Sequence, residues 1–213
     1  MLRKIAAVSL ALVLAAASAS AQIRPDGLPP LSPGDLLFKG AESGTGARIA
    51  ASWSLGDKRW GHVGIVAEDG ASVIHADTGE NALRGEPGEV RKVPLSVYIV
   101  DATALGHYTV FLTGFQRDAY ISYAEAAVGL PFDRGFSLKS ENSLYCSELI
   151  WRALSTGAGR DILPRKSERF GRVYVSVSDL SEHKLVEELA VVSMPLILTN
   201  EGETAQAAPP AAR

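Results

Sequence analysis

LYCSELIW, residues Leu144 to Trp151, holds the only cysteine of the 213-residue chain and opens an apolar stripe at helical spacing. Cys146, Leu149, Ile150, Ala153 and Leu154 fall on one face of a helix. Asn142 or Ser143 is the expected N-cap, and Gly157 and Gly159 are expected to end the helix. Cys146 then lies in the first turn. Unpaired backbone N–H groups and the helix dipole favour an anion there, so a thiolate is expected well below the ordinary thiol pKa of about 8.5. The same N–H groups can hold the oxyanion of a carbonyl under attack. A lone cysteine is also a common core residue. Only a base within reach, and a group to orient that base, make it a nucleophile.

The chain offers four histidines. His62 opens the strand-like HVGIV between Gly61 and Gly64. His75 lies in SVIHA, beyond an Asp-Gly turn. If Glu68–Ala71 forms the turn, both histidines sit on paired strands and face one side. Asp77 lies on the same face of its strand as His75 and is the rival orienter. His107 starts a later strand, and His183 sits in a charged stretch; both read as ordinary surface or satisfied residues.

Working outward, Ser32–Gly40 reads as a turn and a short strand, with Asp35 in the turn. Thr45–Leu55 reads as a weak helix, and Asn81–Val90 as a loop. Lys92–Val100 and His107–Phe115 read as strands. Ala119, Tyr120, Tyr123, Ala127 and Leu130 mark a helix before the Pro131–Asn142 loop. Arg160–Arg172 carries five basic and two acidic residues and reads as a solvated loop rather than an anion site. Leu185–Leu198 is at least partly strand and too short to span a bilayer. Strands, then helices, then a strand imply an α+β fold with an antiparallel sheet packed against helices.

The segments PGDLLF, WGHVGIV, VIHA and YCSELIW together resemble the YiiX/YebB-like branch of the NlpC-type cysteine hydrolases. That resemblance spans roughly Pro33 to Trp151 and implies a papain-like fold with circularly permuted topology, the histidine preceding the cysteine. It implies Cys146 as nucleophile, His62 as base and His75 as the residue orienting the base, where this branch often has glutamate. Tyr145, Ser147, Trp60 and Asp35 are the candidate substrate contacts, and Glu148 is a first-turn acid suited to the helix dipole. No metal or cofactor is implied, since one cysteine and scattered histidines lack zinc spacing. The expected activity is hydrolysis of amide bonds, with peptidoglycan stem peptides as the first substrate class. Two rivals stay open: a lipid-ester or acyl-chain enzyme of the LRAT-like type, whose NCEHF-like motif is absent, and a non-catalytic peptide- or lipid-binding module.

The N-terminus fits an export signal. Arg3 and Lys4 precede an apolar run over Ile5–Ala17, and Ala19-Ser20-Ala21 fits the cleavage rule. The expected organisation is a signal peptide over 1–21, a catalytic domain over 22–198 and a disordered tail over 199–213. That gives a periplasmic or secreted protein with no membrane segment after cleavage. Losing Arg3 and Lys4 takes the net charge from −3 to −5, which leaves no nucleic-acid footprint. Intact-mass measurement of the exported protein should therefore find Gln22 at its N-terminus; retention of Met1 would overturn the export reading.

Overall fold

The structure, a computed structural model, describes residues 25–79 and 87–194. The expected signal peptide and tail lie outside them, as does the larger part of the loop expected over 81–90. The strands β1 (Leu36–Gly40), β2 (Trp60–Val66), β3 (Ser72–Asp77), β4 (Glu89–Pro94), β5 (Ala104–Val110) and β8 (Val186–Ser193) form one sheet in the order β4-β3-β2-β1-β5-β8. Every pairing in it is antiparallel. Short strands β6 (Ser167–Arg169) and β7 (Arg172–Tyr174) make a separate hairpin.

The two faces of the sheet follow strand alternation. Leu36, Phe38, Val63, Ile65, Ile74 and Ala76 point to one side. There they meet the helices α3 (Gly114–Ala126) and α4 (Cys146–Ala158) through Tyr120, Leu149, Ile150, Ala153 and Leu154. Leu37, Val66, Val73 and Leu105 point to the other side, where Leu28, Leu95, Tyr98 and Ile99 cover them. Helix α1 (Thr45–Trp53) packs on β2, and α5 (Val177–Ser181) follows β7.

Several expected boundaries shift for local reasons. The strand expected over Lys92–Val100 stops at Pro94, and Leu95–Tyr98 becomes the short helix α2, with Leu95 and Tyr98 buried. Proline fixes φ at the start of a helix and ends ladder pairing, which the apolar run LSVYIV masks in the sequence. Strand β5 ends at Val110, and Phe115 belongs to α3 instead, behind a Thr113–Gln116 capping box. Helix α4 is preceded by Tyr145 rather than capped by Asn142 or Ser143. Gly159 ends α4 in the left-handed conformation at φ 65. Gly157 stays inside the helix, where a side chain would strike α3 at Gln116 and Tyr120. The supposed loop over Arg160–Arg172 contains β6 and the start of β7.

Gly61 shows how tightly β2 is gripped. A Cβ there would overlap the backbone carbonyl of Ala47 in α1. Backbone cannot yield as a flexible side chain does, so Gly61→Ala should destabilise the protein by about 1–3 kcal/mol. Calorimetry should show a fall of several degrees in the unfolding midpoint, and an unchanged midpoint would mean that α1 does not bear on β2.

Candidate active site

Strands β2 and β3 pair only at Ile65–Ile74 and Val66–Val73. Beyond those pairs β3 keeps its full ladder with β4, and β2 keeps its own with β1. The two strands therefore part at the level of His62 and Val63, and the N-terminus of α4 enters from the helical face. The thiol of Cys146 meets the backbone N–H of Val63 there, with the Ser147 and Cys146 N–H groups also turned toward the sulfur.

His62 and His75 lie on the opposite face of the sheet, beside the same opening. His62 Nε2 and His75 Nδ1 are 3.0 Å apart. The two rings meet edge to face with centroids 5.1 Å apart, and Tyr98 contacts both. The Tyr98 hydroxyl donates to the Leu37 carbonyl at 2.8 Å. Burial holds the Tyr98 phenol well above its usual range, and the nearby Cys146 sulfur adds to that. Lys39, the cross-strand neighbour of His62, sits over the Tyr98 ring and pairs with Asp101 at 2.6 Å.

These surroundings fix the charge states. Burial pushes the His62 pKa well down, and the charges of His75 and Lys39 push it further. Burial and Lys39 bring His75 to about 4. Both imidazoles are neutral at pH 7. Burial also raises the Cys146 thiol, despite the N–H groups that favour its anion. The sequence leads to a depressed thiol pKa and an imidazolium partner, and the structure sets the opposite. Cys146 is only 7% exposed, so desolvation outweighs the helix dipole. Among the described residues no hydrogen bond joins the thiol to either imidazole. Nε2 is the nitrogen that His62 turns to His75, and Nδ1 is its other ring nitrogen.

Beside the sulfur lies a narrow cavity of about 80 Å³, lined by Ile49, Trp53, Phe136, Tyr145, Val175 and Val177 among others. Tyr145 and Ser147 also line it: the Tyr145 hydroxyl accepts from the Val175 N–H, and the Ser147 hydroxyl donates to the Val175 carbonyl, each at 2.8 Å. Arg172 stands at its edge.

The other candidates take different places. Trp60 is core: its indole N–H donates to the Tyr108 hydroxyl at 2.9 Å, and it packs on Phe38. Asp35 is buried against His107, with Oδ2 2.7 Å from Nε2, and its carboxylate also accepts the Ser32 N–H. Neither Trp60 nor Asp35 lines the cavity at the thiol. Asp77 pairs with Arg91 and accepts the Gly79 N–H, and its charge acts on His75.

Glu148 is more than a first-turn acid. It is fully buried, and its Oε1 accepts from Arg152 Nε and Nη2 at 2.9 and 2.8 Å. Arg152 also donates to the carbonyls of Leu138 and Ser140. The pair thus ties the loop before Cys146 to α4. Burial pushes the Glu148 carboxyl up to about 7. Arg152 carried no signal in the sequence beyond its i, i+4 spacing from Glu148. Among the described residues no group of three or more His, Cys, Asp or Glu could hold a metal ion.

The family model for the permuted papain-like amidase enzymes of the YaeF/YiiX, C92 family matches residues 30–199. The chain belongs to that family. Its α+β architecture is the permuted papain-like fold. It is similar to the crystal structure of the metalloprotein YiiX from Escherichia coli O157:H7, with a TM-score of 0.58 at 20% identity, over 76% of this chain and 97% of that one. No curated protein matches the sequence.

The charge states give a direct expectation. Carboxamidomethylation of native protein by iodoacetamide should be slow at pH 6 and should keep rising past pH 9. A reactivity plateau near pH 6 would mean a preformed thiolate and contradict the burial argument.

Proposed function

We propose that this permuted papain-like amidase is an exported cysteine hydrolase in which Cys146 attacks the amide carbonyl, His62 moves the protons and His75 orients His62. The observation that carries the reading is the His62–His75 contact at 3.0 Å beside the opening where the thiol meets Val63. Both imidazoles are neutral, so His62 holds its proton on Nε2 and donates it to His75 Nδ1. Nδ1 of His62 is then a free base. It takes the Cys146 proton as sulfur bonds to the carbonyl carbon. The carbonyl π electrons move onto oxygen, and the Cys146 backbone N–H, at the start of α4, holds that oxyanion. His62 returns the proton to the leaving nitrogen as the C–N bond breaks. Water, deprotonated by the same Nδ1, then releases the acid and restores the thiol.

The cavity bears on the acyl side of the substrate. Its wall is almost wholly apolar, and Arg172 supplies the one charge at its edge. An apolar acyl group fits that lining; the polar stem peptides of peptidoglycan fit it less well. We therefore favour N-acyl amides with a short apolar group at the thiol. The same cavity supports the acyl-chain chemistry of the LRAT-like rival, with an amide in place of the ester.

The test is turnover of N-acyl amides beside purified muropeptides, followed by mass spectrometry. The acyl amides should be cleaved, and Cys146→Ala should abolish cleavage. His75→Ala should lower kcat about 10²-fold or more, while Asp77→Ala should change it little. Because His62 must be neutral to act, and its pKa lies below its usual 6.5, kcat/KM should hold to below pH 6.5 and fall only in more acidic buffer. Cleavage of muropeptides alone would overturn the substrate reading. A larger loss from Asp77→Ala would overturn the role given to His75.

A further inference from the structure

The β6–β7 hairpin ends at Phe170 and Gly171. Phe170 is 86% exposed and sits at φ 52. Among the described residues only one other non-glycine residue has a positive φ: Phe136, at φ 49, itself 41% exposed and lining the thiol cavity. At Phe170 the left-handed backbone is what a two-residue hairpin turn with Gly171, at φ 72, requires. Two such phenylalanines, one at the edge of the cavity and one on the adjoining hairpin, mark this face of the molecule.

Arginines flank the tip. Arg169 donates to the Ser52 carbonyl and lies over the rings of Phe170 and Trp53 at 5.5 and 5.6 Å. Arg172 donates to the Gly135 carbonyl. Neither guanidinium is in an ion pair among the described residues. Ile49, which lines the thiol cavity with Arg172, adds exposed apolar surface at 51%, while Val173 pairs with Glu168 on the other face of the hairpin. The whole chain carries −3, so this basic and aromatic edge runs against the charge of the rest. The one acidic residue in the hairpin is Glu168.

We propose that this edge, Phe170 with Arg169, Arg172, Ile49 and Phe136, docks on an anionic phospholipid bilayer. Phe170 enters the acyl boundary while the guanidinium groups meet the phosphates, the division of labour found in interfacial anchors. Docking in this orientation turns the open edge of the thiol cavity toward the lipid, so that an acyl group can pass from the bilayer to Cys146. The docking stands on the surface alone; only the delivery of acyl groups rests on the proposed hydrolase.

Cosedimentation tests it, with the full protein and vesicles of phosphatidylcholine alone or mixed with phosphatidylglycerol. The protein should bind the mixed vesicles and not the neutral ones. Phe170→Asp, and separately Arg169→Glu with Arg172→Glu, should weaken binding by at least about tenfold. Phe115→Asp, equally exposed at 86% but on α3, should leave it unchanged. Cys146→Ala should bind like the parent, which separates docking from turnover. No binding to the anionic vesicles, or equal binding by Phe170→Asp, would overturn the proposal. Binding lost equally on Phe115→Asp would mean nonspecific adsorption and overturn it as well.

Discussion

The parting of β2 from β3 governs the rest of the site. Two residue pairs hold the strands together, at Ile65–Ile74 and Val66–Val73. Past them the Val63 N–H has no ladder partner on β3. A buried amide without a partner is costly, and here the Cys146 sulfur takes that place. One gap therefore satisfies a donor, anchors the start of α4 and brings a thiol from one face of the sheet to imidazoles on the other. Closing it with a regular ladder would expel the thiol. Opening it further would expose the core residues Ile74 and Ala76 beneath α4.

That gap also explains why the acid–base balance runs against the usual picture of a cysteine at a helix start. The dipole and first-turn N–H groups favour the thiolate by at most about 1 kcal/mol in an exposed setting. Burial of the thiol, of His62 and of His75 opposes charge on all three groups. Lys39 reinforces this on the imidazole side, because its ammonium repels an imidazolium one strand away. A neutral resting pair is the outcome, and a base that is free at neutral pH comes with it. In the proposed mechanism the proton then moves during attack rather than before it.

Much of this was legible in the sequence where spacing and chain direction decide structure. The Asp-Gly turn fixed the hairpin, and with it the shared face of His62 and His75. The apolar stripe after Cys146 fixed α4. What stayed hidden depended on contacts between distant segments. Trp60 beside a glycine-histidine pair reads as a cleft wall, but it is claimed by Tyr108, 48 residues away. Asp35 reads as a turn residue or substrate contact, yet a buried His107 holds it. The charges over Arg160–Arg172 hid a hairpin because its strands are three residues each, too short for alternation to register. Burial of the α4 start was hidden too, and it reversed the expected thiol pKa.

The proposed mechanism requires a neutral His62 whose Nδ1 is free and whose Nε2–H points to His75. Long-range ¹H–¹⁵N correlation of the histidine side chains at pH 7 reads both proton positions directly. Two neutral rings are expected, each protonated on Nε2, with the His62 signals shifting in His75→Ala. An imidazolium at His62, or a His62 ring protonated on Nδ1 and so unable to accept the Cys146 proton, would contradict it.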